Sequence, residues 1–417
     1  MSTEYPSTCA NPRESKGLLI AATCKIARKE GYWQVPSQSG VGAYQVNLQK
    51  GSCSCPDHEV RQVKCKHIFA VEFTVRRETA PDGTVTETKT VRATRITYAQ
   101  DWTAYNAAQS EEKTRFGVLL ADLCKGIPQP VHEGRGRPAL PLADMLFASA
   151  YKVYTGFSSR RFTSDLRDAK AEGLVASEPH FNSVTNYLAN PDMTPILKHL
   201  VMVSSLPLKA VETEFAVDSS GFTTSRFIRW FNKKYGRETD NREWVKVHLM
   251  CGVTTHTVTA VDISGWEAND TTYFVPLLEQ TARNFRMAEV SADKAYLSHK
   301  NVAAVEALGA TPFVPFKSNT FPTTEDSAWG RMYHYFMLNR DQFLTHYHLR
   351  SNVETVFSMC KAKFGDSVRS KGDVGMVNEV LCKVLCHNIC VLIQAIHELG
   401  VEPNFCAQLG LAQQLTA

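Results

Sequence analysis

Hydrophobic and polar positions change rhythm several times along the chain, and each change predicts a different kind of element. Residues 30–48 (EGYWQVPSQSGVGAYQVNL) alternate on either side of a Ser/Gly turn, which predicts a hairpin of two short strands. A Cys-rich knot at 53–67 leads into HIFAVEF, an apolar stretch of helical length. Asp82-Gly83 between Thr/Val-rich runs predicts a second hairpin over 80–99, and 100–126 reads as a helix. From 141 to about 204, LADMLFASAYKVYTG, SSRRFTSDLRDAKAEG and FNSVTNYLAN read as successive helices joined by short polar turns. After Pro207 the texture becomes β-rich: EFAVDSSGF, WVKVHLMCGV and HTVTAVDIS predict three strands. A helix (TTYFVPLLEQTARNF), the strand AEVSAD, a helix over 298–308 and the strand TPFVPF follow. That is an antiparallel meander continued by β-α-β alternation. Long helices over 328–364 and 373–399 close the pattern, and no internal repeat of about 20–50 residues is evident beyond an echo of AVDSSG in AVDISG.

At 417 residues the chain is too long for one ordinary domain, and two or three are expected. The stretch GIPQPVHEGRGRPALP (126–141), dense in Gly, Pro and Arg, is the best candidate boundary. A composition of 43% hydrophobic and 21% charged residues is that of a globular protein. The net charge of +4 permits nucleic acid as a partner without demanding it. No run of about 20 uncharged apolar residues predicts a membrane span, and the first residues lack the pattern of a signal peptide. The 12 cysteines are unevenly spread, which predicts a reducing compartment and thiols used for packing or metal.

Three acids stand out by their settings. Asp218 lies in an apolar strand, where a charge is costly without a partner such as a metal. Asp293 ends another strand, and Glu354 lies in the helical stretch YHLRSNVETVFSMCKAKFG. Carboxylates on two neighbouring strands and an adjoining helix can converge on one point. Hard ions such as Mg²⁺ or Mn²⁺ prefer such oxygen ligands, and two ions about 4 Å apart activate a water or 3′-hydroxyl and stabilise the leaving oxygen of an in-line displacement. Taken singly, each acid could be a strand-end cap or one half of a surface i,i+4 pair. Their order and joint strand-strand-helix setting favour a metal site. Asp262, in the echo, is the rival first acid; it lies too close to Asp293 in sequence for the intervening elements and reads as a strand-end turn residue.

Tyr347-x2-Arg350-x3-Glu354-x6-Lys361, whose four positions share one broad face of a regular helix, resembles the Y-x2-R-x3-E-x6-K signature of DDE transposases of the IS4/IS5-like insertion-sequence superfamily. VDSSGF and ADKAYLS resemble the motifs around that family's first and second Asp, and Trp244-x-Lys246-x-His248 resembles the strand after the first. The resemblance spans roughly 210–395. It implies an RNase H-like core in which Asp218, Asp293 and Glu354 catalyse hydrolytic nicking and then attack of a 3′-hydroxyl on target DNA. Tyr347, Arg350, Lys361 and Lys246 would then contact DNA. The short span between Asp293 and Glu354 leaves no room for the large β-insertion that some IS4-type members carry.

Cys53-x-Cys55-x9-Cys65-x-His67 offers four ligands for tetrahedral Zn²⁺, a closed set that is structural rather than catalytic. Its spacing resembles the SWIM zinc finger, a module associated with binding DNA or protein; His58 is a possible substitute ligand. Arg135-Gly136-Arg137-Pro138 has the form of an AT-hook core, which would enter an A·T minor groove, or of a plain linker. The helices at 141–173, with Ser158-Ser159-Arg160-Arg161 at a turn, could form a helix-turn-helix or a plain helical core. Cys382, Cys386 and Cys390 recur among Val, Leu and Ile and read as core packing.

The expectation is therefore a multidomain α/β protein. An α+β module with its zinc finger at about 30–75 spans 1–125, a helical, DNA-binding segment spans 130–205, and an RNase H-like catalytic core with a mixed sheet flanked by helices spans 206–417. The function expected is DNA transposition at the cytoplasmic nucleoid (or in a nucleus), with DNA ends and target as partners, a homodimer or larger assembly, and no membrane. A catalytically silent DNA-binding regulator and a metal-dependent nuclease of the same fold are the alternatives.

Overall fold

The computed structural model describes residues 12–37, 42–78, 101–130, 138–224, 244–317, 319–321 and 327–405. The chain divides into two compact units, residues 1–99 and 100–417. The second hairpin expected at 80–99 lies outside the described residues, as do Arg135 and Arg137.

In the first unit, helix α1 (Pro12–Thr23) precedes strands β1 (Ala27–Lys29), β2 (Tyr32–Pro36), β3 (Ala43–Asn47) and β4 (Ser52–Cys53). The strands form an antiparallel sheet in chain order, and helices α2 (Pro56–Arg61) and α3 (Lys66–Glu78) follow. Strand alternation turns Trp33 and Val35 inward and leaves Gln34 outside. These side chains meet Ile20, Val46, Ile68 and Val71 in a small core that also takes in Cys53, Cys55 and Cys65.

The second unit begins with helices α4 (Trp102–Lys125), α5 (Leu142–Thr155), α6 (Phe162–Ala171), α7 (Phe181–Leu188) and α8 (Met193–Ser205). Strands β5 (Glu214–Thr223), β6 (Trp244–Gly252) and β7 (Val258–Ser264) form the meander. Then come α9 (Thr271–Ala282), β8 (Glu289–Ala292), α10 (His299–Ala307) and β9 (Thr311–Phe313). Helices α11 (Ala328–Leu338), α12 (Arg340–Tyr347), α13 (Ser351–Phe364) and α14 (Asp373–Leu399) complete it. The sheet order is β7-β6-β5-β8-β9; the first three strands are antiparallel, whereas β8 runs parallel to both β5 and β9. This mixed α/β architecture is consistent with an RNase H-like fold.

Each strand sends alternate residues to opposite faces, so the sheet is packed on both sides. Phe215, Val217 and Met250 face α9 and α10 with Phe274, Leu277, Val290 and Ala292. Ala216, Phe222, Val247 and Leu249 face the helical layer of α4, α5, α8, α13 and α14. The sequence reading grouped α4 with the N-terminal module and set 130–205 apart as a segment of its own. In the structure Phe116, Leu120 and Leu123 of α4 are buried in the same core as α5, α8, α14 and the sheet. The Gly/Pro/Arg stretch thus joins two helices of one unit; composition marked a loop and could not say which core each flank enters.

The stretch 328–364 also differs from the long helices expected. It breaks at Asn339, which caps α11 and α12, and again at a 3-10 turn over His348–Arg350. The first break lets Phe336 and Phe343 meet at 5.1 Å between ring centroids, beside Phe313 and Phe316. In a straight helix two residues seven apart would be separated by about 10 Å of rise. Helix α14 is apolar and long enough to cross a membrane by length and composition, yet 78% of its most apolar window is buried inside the protein. Two of its buried polar groups are well partnered: Asn388 exchanges hydrogen bonds with Val258 and donates to Val201, and Lys383 donates to the carbonyls of Gly365 and Ser367.

Candidate active site and zinc centre

Strand parity decides what each residue around Asp218 can reach. Ala216 and Phe222 face the helical layer, so Asp218 and Ser220 between them do too, while Ser219 points to the α9 side. The parallel register pairs Val217 with Ala292 and brings Asp218 and Asp293, the next residues, side by side. Helix α13 lies over this face and is fastened along β5. At one end the Arg350 guanidinium donates to Asp218 Oδ2 (2.8 Å) and, one helical turn on, to Glu354 Oε1 (2.5 Å). Further along, Lys361 Nζ donates to Ser220 Oγ (2.6 Å). Past the helix, Thr223 N donates to Asp366 O and Val368 N to Thr223 O. Gly365, which ends α13, has φ +84°, a left-handed value that suits glycine at this sharp exit.

Four of the singled-out residues thus come together as Asp218, Asp293, Arg350 and Glu354, with Tyr347 adjoining. Burial pushes the Asp218 carboxyl above its usual range, and the neighbouring Asp293 and Glu354 push the same way; its own-backbone hydrogen bond from Ser219 N and the Arg350 charge oppose this. Burial also raises the Tyr347 hydroxyl. The set is oxygen-only, as hard divalent ions require. Asp218 and Glu354 share a cation now, and no described residue pairs with the Asp293 carboxylate, so the residues fit a cation site. The three acids are not at ligand spacing. Among the described residues, the one group of three or more candidate ligands at such spacing is the Cys/His set.

Lys246 was expected at the DNA surface, but parity places it with Met250 on the opposite face of the sheet from Asp218. There its ammonium is held by Asp270 Oδ1 (2.6 Å) and the carbonyl of Ala268 (3.0 Å). Asp270 also accepts from Ser219 Oγ (2.9 Å), which ties it to the strand segment carrying Asp218. His248 stacks on Tyr273 at 4.0 Å, and burial drives its pKa down to about 4. Sequence reasoning missed Asp270: at the start of α9 it looks like any helix cap, yet its side chain caps nothing there. Asp262 is not a strand-end turn residue. It lies within β7, separated from β5 by β6, and pairs with Lys198 of α8 at 2.6 Å. Its strand is not a neighbour of β8, so it lies away from Asp293, whereas Asp218 is beside it.

In the first unit, β4 and the turn after it bring Cys53 and Cys55 to the first turn of α3, where Cys65 and His67 sit. All four are buried, and their ligand atoms lie within 4.8 Å of one another. His67 Nδ1 is 3.9 Å from both Cys53 Sγ and Cys65 Sγ. The hydrogen bond from Cys53, outweighing burial and aided by His67, holds the Cys65 thiol well below the usual thiol range, toward the thiolate that binds metal. The donor set and closed geometry fit a structural Zn²⁺ site. His58, the possible substitute, turns away and engages the carbonyl of Val63 at 2.8 Å.

The turn between α5 and α6 opens on a shallow groove lined by Phe157, Arg160, Arg161, Arg167 and His180. Arg160 lies over Phe181 (5.6 Å), and Arg167 pairs with Glu178 (2.9 Å). As expected from their apolar neighbours, Cys382 and Cys386 are fully buried in the core.

The mixed sheet, with Asp218 within β5 and Asp293 just past the parallel strand β8, and the Cys₃His module are consistent at the level of architecture with a DDE-type domain preceded by a zinc finger. Residues 209–389 match the family model described as a transposase DDE domain, and residues 44–75 match the SWIM zinc finger. Each stretch is thus similar to the family it matches, a transposase DDE domain in the second unit and a SWIM zinc finger in the first.

Proposed function

We propose that this chain is a DNA transposase of the IS4/IS5-like insertion-sequence type, which nicks transposon ends and transfers 3′-hydroxyl strands to target DNA. The observation that supports this most is that Asp218 and Glu354 share the guanidinium of Arg350, while the parallel register of β5 and β8 sets Asp293 beside Asp218. Asp218, Asp293 and Glu354 would hold Mg²⁺ or Mn²⁺; bound there, such ions supply the acidity that activates a water or 3′-hydroxyl and steadies a leaving oxygen. Arg350 keeps two carboxylates aligned until then, and its fork of donors suits a DNA phosphate once they are otherwise engaged. Lys361 and Tyr347 flank the same face. Asp270, through Ser219, positions the strand segment that bears Asp218.

The groove at Arg160 and Arg161 is the described surface of the helical segment best suited to a DNA backbone, and Arg135 and Arg137 would extend that contact from the linker. The zinc finger serves as a structural accessory to the same transaction, with DNA or protein as its partner. The protein would act as a homodimer or larger assembly on paired ends, at the nucleoid.

Short inverted repeats flanking the coding region supply the substrate for the test. With Mg²⁺ and such ends on supercoiled DNA, Asp218→Ala is expected to lose strand cleavage by at least ~10³-fold while keeping DNA binding. Cleavage at the parental rate by this variant sinks the catalytic assignment. Wild-type protein that binds but never cuts is instead a silent regulator. One that cuts but does not join pre-cleaved ends is a nuclease.

A further inference from the structure

The hairpin between β6 and β7 carries a strained residue outside the carboxylate cluster. His256 has φ +66°, a left-handed value; among the described residues of the second unit it is the one non-glycine with a positive φ. Glycine would hold this backbone without the clash that a Cβ brings, so the imidazole is what the position supplies. The turn around it is fastened from two sides. Glu212, fully buried just ahead of β5, accepts from Thr254 N (3.2 Å) and Thr255 N (2.5 Å), and Gly252 leaves the room its carboxylate fills. His387 of α14 donates through Nε2 to the His256 carbonyl (2.9 Å). A turn held this firmly presents its side chain at a fixed place.

The imidazole meets the helix that bears Glu354. His256 Nε2 is 3.1 Å from Asn352 Oδ1, and Asn352 Nδ2 donates to the Leu349 carbonyl at 2.8 Å. With its amide nitrogen so engaged, Asn352 offers His256 an acceptor, and Nε2 must carry the proton. The Leu349 carbonyl belongs to the peptide that enters Arg350, inside the 3-10 turn between α12 and α13. Arg350 itself reaches Asp218 and Glu354. A 3-10 turn has poorer internal hydrogen bonds than an α-helix, so a side chain gripping its carbonyl governs how the next helix starts. We infer that His256 is a positioning residue for the carboxylate site: through Asn352 it sets the turn that aims Arg350 and Glu354 at Asp218. This rests on the catalytic reading above. Its effect falls on the bond-breaking step and not on DNA capture, because it fixes the geometry of the reacting groups without itself meeting metal or phosphate.

The test compares His256→Gly, which keeps the left-handed backbone and removes only the imidazole, with His256→Gln, whose amide N–H can stand where Nε2 does. The substrate is a supercoiled plasmid carrying the flanking inverted repeats, cut in single turnover with Mn²⁺. His256→Gly is expected to keep the parent's urea midpoint and the DNA concentration for half-maximal rate, yet to cut about 30-fold more slowly. His256→Gln should recover most of that rate. In an Asn352→Ala background His256→Gly should slow cutting by less than about twofold more, since both act through one contact. A second readout needs no cleavage: in metal-free protein, His256→Gly should speed hydrogen exchange of the amides at 348–355 about tenfold and leave those of the sheet unchanged. Unchanged exchange at 348–355, an unchanged cutting rate beside an active parent, a glutamine variant as slow as the glycine one, or full additivity with Asn352→Ala each overturn the inference. Faster exchange at 348–355 with a wild-type protein that never cuts would sink the catalytic reading alone.

Discussion

Arg350 stands where the acids would otherwise repel one another. Its side chain and that of Asp218 are 19% and 22% exposed, so their attraction is only partly screened, whereas Glu354 at 58% adds little. Removing the guanidinium leaves the half-buried Asp218 without its cation, beside Asp293. Arg350→Gln is therefore expected to lower stability by about 1–2 kcal/mol without divalent ions. Mg²⁺ or Mn²⁺ should recover most of the loss, because a cation at the carboxylates replaces the one removed. Urea melts of both proteins with and without metal check this. Equal losses in the two conditions would separate Arg350 from the cation site. At this scale much was legible: the spacing around Arg350 and Glu354 singled both out. Asp270 was not, since its partners Ser219 and Lys246 are far from it in the chain and only the strand pairing gathers them.

Among the elements, α14 shows how a helix that passes for a membrane span serves as a core. His387 on it is buried and meets the carbonyl of His256 at 2.9 Å. Burial lowers its pKa from the ordinary 6.5 to about 4. A base whose pKa falls on folding contributes stability above its unfolded value, and that contribution is lost as the pH drops from 6.5 through about 4. His387→Gln keeps a donor for the His256 carbonyl but cannot titrate. Its denaturation midpoint is expected to fall less steeply than the parent's across this window, as followed in urea at a series of pH values; parallel curves would count against it. The same scale holds the clearest departure from periodicity. A regular 328–364 helix would share one face among Tyr347, Arg350, Glu354 and Lys361. The real chain bends twice, and the first bend, at Asn339, lets Phe336 and Phe343 meet in a core.

Across the whole molecule, the two units draw on separate hydrophobic cores, one within residues 20–71 and the others beyond residue 108. The first core is small, and three of its buried members are the zinc-finger cysteines. Modules of that size seldom hold together on apolar burial alone. Chelation with 1,10-phenanthroline, or Cys65→Ser, is expected to unfold the first unit while the melting transition of residues 100–417 stays within about 2 °C of its parent value. Calorimetry with proteolytic mapping reads both units at once. An intact first unit after metal removal would refute a structural role for the cluster.

The elements themselves were written into the amino-acid order, since a period of two or of 3.6 is a local property and most described strands and helices fall where it puts them. So were the zinc-type residue set, whose members sit close together in sequence, and the Arg350–Glu354 pair, which lies one turn apart. Tertiary structure alone settled which sheet face each strand residue occupies: Asp218 with α13, Lys246 away from it, and Asp262 two strands off. It also put α4 and the 138–205 helices in one core with the sheet, and bent α11 against α12. These depend on which apolar faces find each other across long stretches of chain. No local pattern carries that information, because burial is a property of the partner as much as of the residue.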